Sequence, residues 1–332
     1  MTMEATSYDV ILRNASVLDG TGRLAFRADV AIQGERVARI GSLGLAKATR
    51  DINAQGLTVA PGFIDVHAHD DAELIARPQM APKLTQGVTT VIAGNCGISG
   101  APYSQPSSPS GLLRLVFKSE AFTARTFEDF LSKVRDAEPA INSAFLTGHS
   151  TLRIEVMGDD LSRTATPAEI AQMRALLTDC LEQGSLGLST GLFYPPARAA
   201  STQEVIEIAE PLRAHQALYV THMRNEADNV MESLEESLEI GHASGVPVVI
   251  SPDAAASDAL RQWPGGRVVS VTLAAEEIER EGQAEPVWRI LLEGEFQNEC
   301  GTADAPRVCT SSSLLSVVDA RTGEGVRVQM PA

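Results

Sequence analysis

Two histidines separated by a single residue are the first feature of this sequence that could do chemistry. His67 and His69 follow a short apolar run at residues 63–66, which a Pro-Gly pair opens. Side chains at alternate positions of a strand point to the same face, so the two imidazoles would lie side by side. Such pairs bind divalent cations, and they also occur on solvated strands. The spacing alone therefore leaves both a metal site and an ordinary strand surface open.

A cysteine and two more histidines hold similar places at the ends of other apolar runs. Cys96 follows the run at 89–93, His149 follows 144–148, and His222 ends 218–222. In a barrel of parallel strands, catalytic groups lie at the carboxyl ends of the strands, so these residues and the histidine pair would converge. The alternatives are a small buried thiol for Cys96 and a hydrogen-bonded core imidazole for His222. The remaining candidates of this region fall in predicted helices and are expected to pack or face solvent: Cys180, His215 and His242.

The elements that must position these residues alternate between strands and helices after residue 60. Six predicted strands lie at 63–69, 89–93, 144–148, 186–190, 218–222 and 246–251. Capping boxes at Thr166 and Ser201 predict two of the intervening helices. Strands joined by helical crossovers form a parallel sheet or a barrel. Residues 8–60 differ, because short apolar runs separated by glycine turns predict a small β-rich module.

Two longer motifs resemble a known family. Residues 61–69 read Pro-Gly-Phe-Ile-Asp-Val-His-Ala-His, and residues 83–99 read Lys-Leu-Thr-Gln-Gly-Val-Thr-Thr-Val-Ile-Ala-Gly-Asn-Cys-Gly-Ile-Ser. Both resemble the D-aminoacylases (N-acyl-D-amino-acid deacylases), a branch of the metal-dependent amidohydrolase superfamily. The resemblance covers about residues 8–251. It implies an α/β fold, a (β/α)8 TIM-like amidohydrolase barrel with a small N-terminal β-sandwich part, and a barrel that is incomplete or altered at its C-terminal end.

The same resemblance implies three domains and a site. Residues 1–60 would belong to the sandwich, 61–251 to the first six βα units of the barrel, and 252–332 to an atypical tail that completes one or the other. In this branch a cysteine replaces the lysine that bridges two metals in most of the superfamily, and Cys96 matches it. The implied Zn²⁺ ligands are His67, His69, Cys96 and His222. The implied substrate pocket consists of His149, Ser189, Tyr194, Arg224 and Glu226.

The family pattern fails immediately after residue 251. The family has a histidine pair and a lysine there, whereas this chain has Pro252 and Asp253, so a zinc ligand and a substrate-binding lysine are missing. Asp253 is a candidate substitute. The family's catalytic aspartate, in a Ser-Asp-Gly context, has no counterpart, and we assign no general base. The tail would be either a truncation or altered reading frame, or a divergent replacement of the last two barrel units. Within it, 267–273 and 325–329 are predicted strands, and 274–280 and 286–292 are predicted helices.

Composition limits the classes of partner. The 332 residues are 44% hydrophobic, and 43 acidic against 27 basic residues give a net charge of −16. Nucleic acid and anionic membranes both require a basic surface, so a small-molecule substrate is expected instead. No signal peptide or membrane-length apolar run is evident, and the four cysteines show no CxxC spacing. A cytoplasmic enzyme is expected.

Three functions are consistent with the sequence. The first is zinc-dependent hydrolysis of the amide bond of N-acyl-D-amino acids by metal-activated water, a reaction at a carbon–nitrogen bond other than a peptide bond. The second is another amidohydrolase acting on linear or cyclic amides, against which Cys96 argues. The third is a catalytically impaired, metal-binding remnant, which Pro252 and the tail support.

Overall fold

A computed structural model describes residues 7–104, 124–226 and 229–250, together with the backbone of four strands at 267–280, 283–302, 305–319 and 325–329. The chain divides into two compact units. The first contains residues 7–64 and Gly87–Thr89, and the second contains Asp65–Gln86 and the chain from Thr90 onward. The candidate site residues all belong to the second unit.

The first unit is built on one mixed sheet, as the β-rich pattern of residues 8–60 predicts. Its strands are β1 (Ser7–Val17), β2 (Phe26–Gln33), β3 (Arg36–Gly41), β4 (Lys47–Asn53) and β5 (Thr58–Val59). The order is β3-β2-β1-β4, and β5 also pairs with β1. A bulge between Leu12 and Ala15, where Asn14 has a φ of 61°, changes the alternation along β1. Ile11 and Ala15 consequently belong to different buried clusters.

Residues 63–250 contain the six strand positions that the sequence predicts. The strands are β6 (Phe63–Asp65), β7 (Val88–Ala93), β8 (Asn142–Phe145), β9 (Thr147–Gly148), β10 (Gly187–Gly191), β11 (Leu218–His222) and β12 (Val248–Ile250). One sheet has the order β6-β7-β8 and the other β9-β10-β11-β12. The Leu146 N–H donates to Ala93 and the Leu186 N–H donates to Phe145, so β8 and β9 together fill one position. From β7 to β12 the paired strands are parallel.

Helices connect these strands and cover them with apolar side chains. They are α1 (Glu73–Ala76), α2 (Ala81–Leu84), α3 (Phe127–Ala137), α4 (His149–Met157), α5 (Pro167–Glu182), α6 (Pro195–Arg198), α7 (Thr202–Ala209) and α8 (Val230–Ser244). The capping box at Thr166 is confirmed, with both reciprocal bonds to Glu169, and Ser201 caps α7. Because Pro211 cannot continue a helix, α7 passes into a 3₁₀ turn at Glu210–Arg213. No helix in the described ranges is both long enough and apolar enough to cross a bilayer.

Two sequence predictions need correction. The first predicted strand ends at Asp65 rather than at residue 69, because the Asp65 carboxylate accepts the His67 N–H at 3.2 Å and turns the chain. The tail segments 274–280 and 286–292 are strands rather than helices. They lie in β13 (Arg267–Arg280) and β14 (Gln283–Thr302), whose antiparallel pairing overrides local helix propensity.

The tail strands form an antiparallel sheet of their own. β15 (Ala305–Asp319) and β16 (Gly325–Gln329) continue the order β13-β14-β15-β16. The predicted strands at 267–273 and 325–329 are confirmed. Asp253, the candidate substitute ligand, lies outside the described residues.

Candidate metal site

A thiol and two imidazoles meet just beyond the ends of β6 and β7. One ligand atom each of His67, His69 and Cys96 lies within 4.8 Å of the other two. The Cys96 Sγ is 3.2 Å from His67 Nε2 and 3.9 Å from His222 Nδ1. The structure therefore brings together all four residues that the sequence suggests as ligands. His69 Nδ1 is buried and has no hydrogen-bond partner among the described residues, as a metal-binding nitrogen requires.

The backbone that carries the two imidazoles is fixed by hydrogen bonds and an ion pair. The Ala68 N–H donates to Ile92 of β7. The Lys83 ammonium bridges two carboxylates on either side of the pair, at 2.5 Å from Asp65 and 3.1 Å from Asp70. His67 and His69 thus face the thiol although they lie beyond the regular strand. Their ring centroids are 5.6 Å apart.

Cys96 lies in a tight loop that depends on left-handed backbone. Gly94, Cys96 and Gly97 have φ angles of 80°, 53° and 75°. The loop also packs backbone to backbone, because a Cβ on Gly94 would lie 2.2 Å from the Leu146 carbonyl oxygen. A left-handed conformation is unfavourable for cysteine, so the surrounding structure must hold Cys96 in place.

Two fully buried side chains hold this loop. Asp71 accepts the N–H groups of Gly94 at 3.2 Å and Gly100 at 2.9 Å. The Ser189 hydroxyl accepts the Gly97 N–H at 3.1 Å and donates to the Gly94 carbonyl at 2.5 Å. Ser189, a predicted pocket residue, therefore acts on the backbone of the Cys96 loop. Sequence reasoning missed Asp71, because its partners are main-chain groups that no motif names.

Burial sets the protonation of the groups next to the thiol. It lowers the pKa of His69, with the neighbouring His67 as the next cause, so His69 is a neutral donor at pH 7. Burial also raises the pKa of Asp71 to about 6, although the Gly100 and Gly94 N–H groups oppose the shift. Cys180 provides a contrast, since burial in the core raises the pKa of its thiol to about 12.

An acidic residue and two aromatic rings lie against the His222 imidazole. Its Nε2 lies 3.4 Å from the Glu226 carboxylate, which leaves Nδ1 directed at Cys96. The rings of Tyr194 and Phe193 lie 4.9 Å and 5.9 Å from the imidazole, centroid to centroid. Carboxylates that bind the second nitrogen of an imidazole fix the tautomer and the orientation of a metal ligand. Glu226 and Tyr194 therefore lie beside the site, as the sequence suggests.

The predicted pocket residue His149 packs into a buried ionic cluster. Its Nε2 is 3.5 Å from the Glu204 carboxylate, which also binds the Arg153 guanidinium. Arg153 further donates to the carbonyls of Pro196 and Arg163. All three charged or titratable side chains are inaccessible to solvent. This cluster joins α4 to α7.

Arg224, another predicted pocket residue, lines a cavity but has its guanidinium engaged. Two of its nitrogens bind Glu236 at 2.9 and 2.7 Å, and it donates to the carbonyls of Arg198 and Ala200. The cavity has a volume of about 610 Å³. Its lining includes Phe193, which also packs near the His222 ring.

The donor set fits a transition-metal ion. A thiolate and neutral imidazoles are the ligands that borderline-soft divalent metals prefer, and hard cations such as Mg²⁺ prefer oxygen. The buried and unpartnered His69 nitrogen supports the same conclusion.

Comparison with known proteins identifies the family. Residues 50–285 match the amidohydrolase family. The chain belongs to the amidohydrolase family. The match passes residue 251, where the motif resemblance ends, and continues into the tail.

The relatives place this amidohydrolase in the D-aminoacylase branch, as the motifs suggest. It is similar to a D-aminoacylase from Alcaligenes xylosoxydans xylosoxydans, with 45% identity over 248 residues, which is 75% of this chain and 51% of the relative. A crystal structure of D-aminoacylase matches 73% of this chain and 51% of its own at 47% identity, with a TM-score of 0.71.

A third relative is also a deacylase. N-acyl-D-glutamate deacylase from Bordetella bronchiseptica, in complex with zinc and a phosphonate inhibitor, has a TM-score of 0.70 at 30% identity and covers 84% of this chain and 65% of its own. The fold is thus the α/β barrel class of the amidohydrolases. The chain spans about half the length of the curated relatives that it matches.

Proposed function

We propose that this chain hydrolyses the amide bond of N-acyl-D-amino acids with zinc bound by His67, His69, Cys96 and His222. The observation that carries the proposal is the position of the Cys96 thiol, 3.2 Å from His67 Nε2 and 3.9 Å from His222 Nδ1. The D-aminoacylase relatives support the reaction, and the zinc in the N-acyl-D-glutamate deacylase structure supports the metal.

The chemistry divides between the metal and the chain. When bound, zinc supplies Lewis-acid activation of water and of the acyl carbonyl. The chain supplies the imidazoles, among which burial lowers the pKa of His69, a thiol, and Glu226, whose carboxylate lies 3.4 Å from His222 Nε2. Asp253 is our candidate for the ligand or base that the motif comparison finds missing.

We place the amino-acid part of the substrate in the cavity beside Phe193. Its volume of about 610 Å³ is within the range of small-molecule sites. Arg224 and Glu236 neutralise each other there, and Glu232 adds a second carboxylate. Arg198 also lines the cavity, and its guanidinium carbon is 5.6 Å from the Phe193 ring centroid. Its guanidinium donates to the Phe193 carbonyl, and it forms no ion pair within the described ranges. Arg198 is therefore our candidate for binding the substrate carboxylate.

The test is release of free amino acid from N-acetyl-D- and N-acetyl-L-amino acids by purified, monodisperse protein. We expect zinc-dependent turnover of the D series that a chelator abolishes. Cys96→Ser should remove turnover, and Cys180→Ser is the matched control because Cys180 is a buried thiol of the core. Asp253→Asn and Arg198→Ala then test the base and the substrate cation, the latter by a raised KM.

The alternative function is metal binding without catalysis, which Pro252 in place of a family ligand favours. Folded protein that binds zinc stoichiometrically and shows no turnover in either series would establish it and refute the deacylase proposal.

A further inference from the structure

We infer that Ser189 and Asp71 are positioning residues for Cys96, and that together they set where the thiol stands relative to the imidazoles. The inference rests on the proposed function in one respect, namely that Cys96 is a metal ligand. Neither residue touches the ligand atoms in any contact described above. Both act on the backbone of residues 94–100.

Ser189 reaches the loop from β10 and is bound at two points. Its hydroxyl accepts the Gly97 N–H at 3.1 Å and donates to the Gly94 carbonyl at 2.5 Å, so one hydroxyl ties both sides of Cys96. The loop also lies directly on this strand, since a Cβ on Gly191 would be 2.2 Å from the Cys96 carbonyl oxygen. Alanine at 189 would leave a buried donor and a buried acceptor unsatisfied.

Asp71 holds the loop at its two ends. Oδ2 accepts the Gly94 N–H at 3.2 Å, and Oδ1 accepts the Gly100 N–H at 2.9 Å. Each carboxylate oxygen therefore has its own donor. Asparagine has the same shape but only one acceptor oxygen, so Asp71→Asn would set an amide NH₂ against one of the two N–H groups.

These restraints oppose the strain within the loop. Three of the four residues from Gly94 to Gly97 have positive φ, and one of them is the cysteine itself. A residue in this conformation relaxes when its surroundings do not determine it. Loss of the hydrogen bonds from Ser189 or from Asp71 should therefore displace the thiol from its 3.2 Å contact with His67 while leaving the barrel strands in place.

The experiment uses the full chain loaded with Co²⁺, because a cobalt–thiolate bond gives a charge-transfer absorption in the near ultraviolet that imidazoles alone do not give. Ser189→Ala and Asp71→Asn are compared with the wild-type protein. Cys96→Ser is the negative control for the band. Ser185→Ala is the matched control, because Ser185 is also buried and its hydroxyl bonds Thr147 and Gly187, outside the Cys96 loop.

We expect the wild-type band to be strong and absent from Cys96→Ser. Ser189→Ala and Asp71→Asn should weaken cobalt affinity by about 10- to 100-fold and reduce the band per bound cobalt, whereas Ser185→Ala should keep both. Circular dichroism and gel filtration show whether each variant is folded. If Ser189→Ala does not fold, the isosteric Asp71→Asn decides the matter.

Different results would overturn the proposed metal site and the positioning role of Ser189 and Asp71. Absence of the band from cobalt-loaded wild-type protein overturns Cys96 as a ligand and with it the proposed metal site. A normal band in the wild type that folded Ser189→Ala and Asp71→Asn retain, at the affinity of Ser185→Ala, overturns the positioning role alone.

Discussion

Two clusters in the second unit each place a histidine at the end of a parallel strand, and they differ in what surrounds it. Around Cys96 the groups are a thiol and two imidazoles whose ligand atoms lie within 4.8 Å of one another. Around His149 the groups are a carboxylate and a guanidinium that already satisfy each other. Position in the fold therefore suggests a site, and the chemistry of the neighbouring groups decides whether a metal ion could bind there.

The contrast also explains the energetics of each cluster. Burying charges costs several kcal/mol per ion, which Arg153 and Glu204 offset by binding each other and nearby main-chain groups. The cost of the Cys96 cluster lies in its backbone conformation instead. The His149 cluster holds two helices together, and the Cys96 cluster contains a strained loop.

The largest expected effect is on catalysis at the first cluster. Cys96→Ser should lower zinc-dependent turnover by more than about 100-fold, since loss of an outer-shell partner already costs about 10- to 100-fold. The urea midpoint should hardly change, because the substitution is close to isosteric. Turnover and urea unfolding, measured on the same preparation, check both statements. Undiminished turnover would show that the thiol is no ligand.

The second effect is on stability at the other cluster. Glu204→Gln leaves Arg153 buried without its carboxylate and should cost about 3–5 kcal/mol. The matched control is Glu210→Gln, which breaks the exposed pair with Arg174 and should cost no more than about 1 kcal/mol. Urea titrations of both variants give the comparison. Equal losses would contradict the structural reading of the His149 cluster.

The dependence of stability on pH provides a further test of the role of Glu204. Burial opposes ionisation of Glu204, yet its contacts with His149, the Ala165 N–H and Arg153 hold its pKa at about 2, against 4.5 in the unfolded chain. A carboxyl with a depressed pKa stabilises the fold above its unfolded pKa, and this stability is lost as the pH falls from about 4.5 towards 2. The stability gap between wild type and Glu204→Gln should therefore narrow over that window in urea unfolding. A constant gap would refute the shift.

For Asp71 we expect the opposite dependence of folding stability on pH. Its pKa rises from 3.8 to about 6 on folding, so the folded state binds the extra proton and stability falls as the pH rises through that interval. Melting temperatures of metal-free protein between pH 4 and 6 should decline less steeply for Asp71→Asn than for wild type. Parallel curves would rule out this contribution.

The smallest expected effect is on the reactivity of the thiols of Cys180 and Cys96 towards alkylating reagents. At pH 8, Cys180 should resist alkylation in the native protein, because burial raises the pKa of its thiol to about 12. Modification of Cys96 should be slowed by added zinc, which would occupy the thiolate. Peptide mass spectrometry with and without zinc distinguishes the two thiols. Rapid native labelling of Cys180 would show that the core opens readily.

The sequence supports the strand positions and the ligand residues because both depend on local signals. Apolar runs mark the strands, and His67, His69 and Cys96 lie within motifs. The end of β6 at Asp65 could not be predicted from apolar runs or motifs, because it depends on a side chain that accepts the His67 N–H.

The contacts that the sequence did not reveal are those between residues far apart in the chain. Ser189 binds backbone 92 residues away, and Arg224 is engaged by Glu236 and two carbonyls. Asp71 follows the histidine pair in sequence, yet only the folded chain shows that it binds Gly94 and Gly100. The prediction of two helices in the tail was wrong for the same reason, since strand pairing there outweighs local helix propensity.

The hydrogen bond between Gly97 and Ser189 also bears on the order of events during folding. The thiol loop leaves the ribosome 92 residues before the hydroxyl that restrains it, and His222 follows Cys96 by 126 residues. Contacts so distant in sequence form late, because loop closure must be paid first. Metal capture at full affinity should therefore mark a nascent chain that has already docked β10 and β11.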